Sequence, residues 1–144
     1  SALEVLHSGI ETTKTCLPLS PSLEVKGVHI RSCSYFPSNT LPLKINFHCA
    51  DDCVIPAIFK VGDDLQQDML TLQMIRIMDK LWLREGLDLK MVTFACVPTG
   101  TKRGMIEMVT EAETLRKIQV ELGLTGSFKD RPIAAWLAKH NPSA

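Results

Sequence analysis

The longest regular pattern in the chain predicts a long helix near its middle. From about residue 65 to residue 84, apolar side chains recur every three or four positions and so share one face of a helix. Asp63 or Asp64 can cap the amino-terminal end, and the "REG" of residues 84–86 can end the helix. Because the apolar face is wide, we expect it to pack against a sheet and against a further surface as well.

Strands are predicted on both sides of this helix, because apolar and polar residues alternate there. Gly27 predicts a bulge in the first strand, and the "PSNT" turn of residues 37–40 links that strand to the second. Pro56 indicates that the third strand lies at an edge or that the proline occupies an early position in it. The five predicted strands span residues 23–36, 41–50, 54–61, 89–97 and 104–109.

Shorter helices are predicted towards both ends of the chain. An amphipathic stripe predicts one over residues 1–15, and Gly123 ends a second that covers residues 112–122. Asp130 caps a third over residues 129–140. The predicted fold class is therefore α+β: an antiparallel sheet of about five strands, with the long helix and the shorter helices on one side.

Composition and charge exclude some classes of function. The 144 residues suffice for one domain with a core, and a hydrophobic fraction of 45% is ordinary for a globular protein. Sixteen basic and sixteen acidic side chains cancel, so we expect no nucleic-acid partner. Five cysteines without a C-x-x-C pair indicate buried thiols in a reducing, intracellular compartment rather than a metal site. The chain starts inside a predicted helix without a methionine, so we expect it to be part of a longer protein.

The main candidate for chemistry is the lysine that ends the apolar strand "VIPAIFKV". Lys60 directly precedes the start of the long helix, where Asp64 and Asp68 share one helical face. A lysine at a strand end, opposite an acidic residue, is the arrangement that holds an ammonium group against nucleotide phosphates. The alternative is an edge-strand lysine whose ammonium group extends to water, which composition alone favours.

Two weaker signals concern the turns. The turn "FPSNT" of residues 36–40 can cover phosphates through Ser38, although a plain hairpin is the simpler interpretation, and no glycine-rich phosphate-binding motif is present. The segment "MIEMVTEAET" of residues 105–114 passes from an apolar strand into a polar link. Free backbone groups in such a link can bond a planar heterocycle.

Several of these stretches resemble one known family. "IFKVGDDLQQDMLTLQMIRIMDKLW", "EGLDLKMV" and "LPLSPSLEVKGV" resemble the amino-terminal lobe of phosphatidylinositol 3-kinases. "GMIEMV" and "TLRKIQVELGLTGSFKDRPIAAWL" resemble class II of that family, the C2-domain-containing enzymes. The resemblance covers residues 17–142. It implies a protein-kinase-like amino-terminal lobe over residues 23–144, preceded in residues 1–22 by a helix and connector from a helical domain.

The resemblance also implies which residues bind ATP. Lys60 matches the lysine that contacts the α-phosphate, and Asp68 matches the acidic residue that orients it, with Asp64 as a weaker alternative. Ser38 matches the serine of the phosphate-covering loop. Glu107 and Val109 match the hinge residues whose backbone carbonyl and N–H bond adenine. Three further matches line the adenine slot, with Phe94 standing where many relatives carry tyrosine: Ile58, Phe94 and Met108.

For the parent protein, the resemblance implies a lipid kinase that transfers the γ-phosphate of ATP to the 3-hydroxyl of phosphatidylinositol or its 4-phosphate, with Mg²⁺. The D-R-H-x-x-N and D-F-G motifs that supply the catalytic base and the metal ligands do not occur in these 144 residues. We therefore expect no catalytic residue, no metal ligand and no activity in this chain alone.

The implied partners are ATP, the carboxy-terminal kinase lobe and helical domain of the same protein, and a phosphoinositide lipid bound through that missing lobe. The implied location is cytoplasmic, with peripheral attachment to intracellular or plasma membranes through other domains. The alternatives are a phosphatidylinositol 4-kinase or related kinase, and a kinase-like scaffold without turnover.

Overall fold

A computed structural model describes residues 1–13, 15–50, 53–121 and 132–142 of the chain. Its residues form two compact units, Ser1–Met108 and Val109–Ala144, which are described separately. None of the helices in the described ranges is long and apolar enough to cross a membrane.

The first unit is a mixed α/β structure built on an antiparallel sheet. Its helices are α1 (Ala2–Thr12) and α2 (Leu65–Arg84), with a single 3₁₀ turn at Ile30–Ser32. The strands are β1 (Thr15–Leu17), β2 (Ser20–Val28), β3 (Ser34–Tyr35), β4 (Leu43–Cys49), β5 (Val54–Val61), β6 (Cys96–Gly100) and β7 (Arg103–Glu107). They lie in the order β1-β2-β4-β5-β7-β6, and β3 pairs with β4 beside β2.

In the described part of the chain the sheet has seven strands, so the prediction of about five is wrong. Residues 15–17, predicted to be helix end and connector, pair with β2 as β1. The predicted strand 23–36 is divided into β2 and β3, because the turn after His29 redirects the chain. The predicted strand 89–97 is irregular up to residue 95: Asp88 accepts a hydrogen bond from the Lys90 N–H at 3.2 Å, and the φ of Lys90 is +53°.

The predicted bounds of α2 are confirmed. The Asp64 carboxylate accepts a hydrogen bond from the Gln66 N–H at 3.1 Å, which satisfies one of the backbone donors that a helix start leaves unpaired. At the other end, Gly86 adopts a φ of +76°, and the Leu87 N–H donates to the Trp82 carbonyl at 2.8 Å. This end is the glycine-terminated type that "REG" indicated.

The register of the sheet assigns its side chains to two faces. Phe59 pairs with Met105, and their neighbours Ile58 and Ile106 pair with each other. Because side chains alternate along a strand, the first pair faces one side and the second pair the other. Phe59 and Met105 belong to the core under α1, whereas Ile106 packs against the small cluster that contains Leu65 of α2. The prediction that the helices lie on one side is therefore wrong for α1 and α2.

The larger core lies on the α1 face. Ile10 of α1 closes it against apolar side chains from β1, β2, β4, β5 and β7. The members of this cluster are Ile10, Leu17, Val25, Val28, Ile45, Phe47, Ala57 and Met105. The cluster on the α2 face is smaller and consists of Leu65, Leu72 and Cys96, with Phe94 and Ile106 packed against it.

The second unit contains α3 (Leu115–Glu121) and α4 (Pro132–His140). Ile118 is the buried apolar residue of α3, and the rings of Trp136 and His140 stack along α4 with centroids 4.1 Å apart. Both predicted helices are present, and α3 begins at Leu115, three residues after the predicted start. The predicted helix end at Gly123 and residues 129–131, with the predicted cap Asp130, lie outside the described residues. The predicted division of the chain after residue 22 falls inside β2 and stays a prediction.

Candidate functional site

Lys60 lies near the end of β5, on the face of the sheet that α2 covers. It shares this face with Ile58, two positions earlier, and it pairs with Gly104 of β7. The Lys60 Nζ atom lies 3.3 Å from an Asp63 carboxylate oxygen, and the lysine side chain is 28% exposed. Gly62 makes this pair possible, because its φ of +100° turns the chain sharply between the two residues.

The acidic residues at the start of α2 have different roles. The Asp64 carboxylate serves as the helix cap, and Asp63 holds the lysine. Asp68 lies one turn into α2, and among the described residues it forms no ion pair with Lys60. The assignment of Asp68 as the residue that orients Lys60 therefore stays a prediction.

Cys96 is a residue of this site that the sequence did not indicate. Its thiol is buried on β6 and donates a hydrogen bond to the Leu65 carbonyl of α2, with the sulfur 3.8 Å from the oxygen. Burial raises the pKa of the Cys96 thiol above its ordinary value of 9.0, the charge of Asp68 raises it further, and the charge of Lys60 lowers it. Lys60 and Asp68 thus both act electrostatically on Cys96, although they are not paired with each other.

Gly104 explains how closely α2 approaches the sheet beside Lys60. A Cβ atom at Gly104 would lie 2.5 Å from Leu65 Cδ1 and 2.5 Å from the Val97 carbonyl oxygen. Only a residue without a side chain leaves room for Leu65 here. In the sequence, Gly104 is only the first residue of the predicted strand 104–109, because nothing local indicates a close approach.

The loop that carries Ser38 lies at the Lys60 end of β5. Leu43, the first residue of β4, pairs with Phe59, so the loop before β4 projects beyond that end of the sheet. The Ser38 N–H donates to the Phe36 carbonyl at 2.9 Å, and the Leu41 N–H donates to the Ser38 carbonyl at 3.1 Å. Ser38 itself is exposed.

Glu107, a predicted hinge residue, and Met108, predicted to line the adenine slot, lie nearer the other end of β5. Glu107 pairs with Ala57, and the half-buried Met108 donates its N–H to the Pro56 carbonyl at 3.2 Å. Ala57 and Lys60 are three residues apart, which is roughly 10 Å along a strand. Val109 begins the second unit, where its side chain is exposed.

The side chains between these two ends are apolar. Ile58 and Phe94 are half-buried, and Phe94 packs against the small cluster under α2. One face of the sheet therefore carries a cation at one end, apolar residues in the middle and backbone groups of a strand end at the other. This arrangement suits a ligand with an anionic end and a planar apolar end. Among the described residues, no group of three His, Cys, Asp or Glu side chains could hold a metal ion.

Comparison with known proteins identifies the family to which this sequence is similar. The family model described as "Phosphatidylinositol 3- and 4-kinase" matches residues 54–144. Over 96% of its length, the chain is 61% identical to "Phosphatidylinositol 4-phosphate 3-kinase C2 domain-containing subunit beta" of Homo sapiens. Over 99% of its length, the chain is 57% identical to "Phosphatidylinositol 4-phosphate 3-kinase C2 domain-containing subunit alpha" of Pongo abelii. Over 94%, it is 53% identical to "Phosphatidylinositol 3-kinase C2 domain-containing subunit gamma" of Rattus norvegicus. The chain covers 9%, 8% and 9% of these relatives, respectively.

Proposed function

This chain belongs to the phosphatidylinositol 3- and 4-kinase family, and we propose that it forms the ATP-binding lobe of a class II phosphatidylinositol 3-kinase. Residues 23–144 are the amino-terminal lobe of the kinase domain in this proposal, and residues 1–22 are the helix and connector from a helical domain. The names of the relatives, all C2-domain-containing subunits, support class II.

The proposed reaction of the parent protein is transfer of the ATP γ-phosphate to the 3-hydroxyl of an inositol lipid. Two relatives are named as kinases of phosphatidylinositol 4-phosphate and the third as a phosphatidylinositol 3-kinase. Both lipids are therefore candidate substrates. Mg²⁺ would neutralise the phosphate charge, and its ligands would come from the other lobe. The parent would contact the lipid through that lobe and reach membranes through further domains, so this chain alone would be inactive.

The observation that carries the proposal is the layout of one face of β5. Lys60 and the Ser38 loop lie at one end, where the phosphates would bind, and Glu107 and Met108 lie near the other, where adenine would bind. Val109 would complete the hinge through its N–H. Adenine would contact Ile58, Phe94 and Met108 between these ends.

Lys60 is proposed to move between two carboxylates. In the structure it pairs with Asp63, which is 41% exposed and so holds the ammonium group in a partly hydrated position. When ATP binds, Lys60 would turn to the α-phosphate and Asp68 would orient it from α2. A lysine serves this purpose because its ammonium group acts as a compact point charge on a flexible stem.

The test uses the full-length protein that contains this chain. We would incubate it with labelled ATP, Mg²⁺ and vesicles of phosphatidylinositol or its 4-phosphate, beside the variants Lys60→Ala and Lys80→Ala. Lys80 is an exposed lysine of α2 and serves as the matched control. We expect product labelled at the 3-position, lost about 100-fold in Lys60→Ala and unchanged in Lys80→Ala.

The other outcomes separate the alternatives. Product labelled at the 4-position would identify a phosphatidylinositol 4-kinase. ATP binding without turnover by the folded wild-type protein would support a scaffold. Equal activity of Lys60→Ala and the wild type would contradict the role of Lys60.

A further inference from the structure

The side chain of Glu107 makes an unusual bond at the point where β6 and β7 begin to pair. The Glu107 N–H donates to the Ala95 carbonyl at 2.8 Å. In return, the Ala95 N–H donates to the Glu107 carboxylate, also at 2.8 Å, and not to the Glu107 backbone carbonyl. Glu107, the last residue of β7, therefore bonds both backbone groups of Ala95. Its N–H bonds the Ala95 carbonyl, and its carboxylate bonds the Ala95 N–H.

Regular strand pairing would place a different bond here. Cys96 pairs with Ile106, so the next pair outward in an antiparallel ladder is Ala95 with Glu107. The Met108 N–H donates to the Pro56 carbonyl, so the backbone groups of Met108 point towards β5. The backbone groups of successive residues in a strand point to opposite neighbouring strands. The N–H and carbonyl of Glu107 therefore point towards β6. A regular pair would then exchange two bonds, and the Ala95 N–H would donate to the Glu107 carbonyl. The carboxylate takes that N–H instead.

Residues 94 and 95 are also fixed from the opposite side. The Arg76 guanidinium on α2 donates to the Phe94 carbonyl at 2.9 Å. This bond fixes the segment to the long helix, so the position of the Ala95 N–H relative to Glu107 is set by two contacts. A hydrogen bond to a charged acceptor is also about twice as strong as a neutral one, which favours the carboxylate over the carbonyl.

We propose that the Glu107 side chain is a positioning residue that keeps the Glu107 backbone carbonyl available to the amino group of adenine. This inference rests on the proposed function, in which that carbonyl bonds the base. Without the carboxylate, the Ala95 N–H closes the ladder onto the carbonyl and competes with the ligand. The Glu107 side chain therefore affects the preference of the protein for nucleotides whose base carries an amino group over nucleotides whose base lacks it.

The experiment compares ATP with ITP, whose base carries a carbonyl oxygen in place of the adenine amino group. Dissociation constants for both nucleotides are measured by competition with a fluorescent ATP analogue on the full-length protein. The variants are Glu107→Met, which has a similar length but no acceptor, and Glu107→Gln, which keeps an acceptor oxygen. Glu85→Met, at an exposed glutamate after α2, is the matched control.

We expect Glu107→Met to weaken ATP binding about tenfold, the effect of one lost hydrogen bond, with ITP binding changed less than about twofold. Glu107→Gln should restore the preference for ATP to within about threefold of the wild type, and Glu85→Met should leave it unchanged. If Glu107 has a purely structural role, Glu107→Met will weaken the binding of ATP and of ITP by the same factor. That result would overturn the inference.

An unchanged preference in folded Glu107→Met would overturn it as well and leave the proposed function intact. A wild-type protein that binds neither nucleotide would overturn the proposed function, and this inference with it. If Glu107→Met does not fold, Glu107→Ala removes the same acceptor with a smaller side chain and is held to the same outcomes.

Discussion

The two faces of the central sheet differ in what their buried residues do. The face under α1 is apolar from one strand to the next and is closed by Ile10. The face under α2 has a buried cluster of three residues, and it carries Lys60 and the Cys96 thiol beside that cluster. The first face supplies most of the buried apolar area, which is the main source of folding free energy.

The two helices show the same difference. α2 buries Leu65 and Leu72 against the sheet, while much of its wide apolar face is exposed in the described part of the chain. Its exposed apolar side chains include Met69, Leu70, Met74, Ile77, Met78 and Leu81. The prediction that α2 packs against a further surface stays a prediction. We infer that changes under α1 affect stability, whereas changes under α2 affect the site as well.

The largest expected effect is on the α1 face. Replacing Phe47 by alanine leaves a cavity in the larger core and should lower the free energy of unfolding by about 4 kcal/mol. Urea unfolding of the chain, followed by circular dichroism, measures this loss. Leu43→Ala is the matched control on the same strand and face, and because Leu43 is 42% exposed it should lose only about 1 kcal/mol. Equal losses would contradict the conclusion that burial of Phe47 in the core under α1 determines its loss.

The second prediction concerns the close approach of α2. Gly104→Ala should lower the free energy of unfolding by about 3 kcal/mol, because the new Cβ overlaps Leu65 and the Val97 carbonyl. It should also weaken ATP binding by the full-length protein, since Lys60 pairs with this residue. The control is Gly9→Ala in α1, where nothing lies within 4 Å, and it should stabilise the chain by about 1 kcal/mol. Normal stability of Gly104→Ala would show that α2 can shift freely.

A smaller effect is expected at Asn46, the buried polar residue of β4. Its side-chain amide donates to the Ser32 carbonyl at 3.0 Å and to the Ser32 hydroxyl at 2.6 Å, which fixes the turn before β3. Asn46→Leu removes both donors and should cost about 2 kcal/mol in urea unfolding. Ser32→Ala keeps the bond to the carbonyl and should cost no more than about 1 kcal/mol. A larger loss of stability in Ser32→Ala than in Asn46→Leu would contradict the role of the Asn46 amide in fixing this turn.

The smallest effect is the pH dependence from Cys96. The Cys96 thiol has a raised pKa in the folded state, so above pH 9.0 the thiol of the unfolded chain ionises first. The contribution of Cys96 to the free energy of unfolding is therefore fully present below pH 9.0 and is lost as the pH rises above it. The slope should stay below about 1.4 kcal/mol per pH unit. Unfolding free energies of the wild type and Cys96→Ala between pH 8 and 10.5 measure the difference. Identical slopes would contradict the shift.

A chemical measurement compares Cys96 with a cysteine outside the core. Iodoacetamide at pH 8 should modify the exposed Cys53 much faster than Cys96, because the Cys96 thiol is buried and burial raises its pKa. Peptide mass spectrometry gives both rates in one sample. Equal rates would show that the α2 face opens often.

The sequence by itself determined the elements that depend on neighbouring residues. The bounds of α2 follow from its periodicity, the Asp64 cap and Gly86, all of which act within one or two helical turns. β4 follows from alternation along a single strand, and β5 follows from a short apolar run. The family followed from longer stretches of sequence and is confirmed by the match to residues 54–144.

Only the tertiary structure decided which residues from different elements meet. α1 and α2 lie on opposite faces of the sheet, and the contacts of Gly104 with Leu65 and of Glu107 with Ala95 join residues on different elements. Local patterns carry no information on these contacts, because the packing of the whole sheet selects them. Lys60 was identifiable from its place at a strand end, whereas its pairing with Asp63 depends on the turn at Gly62.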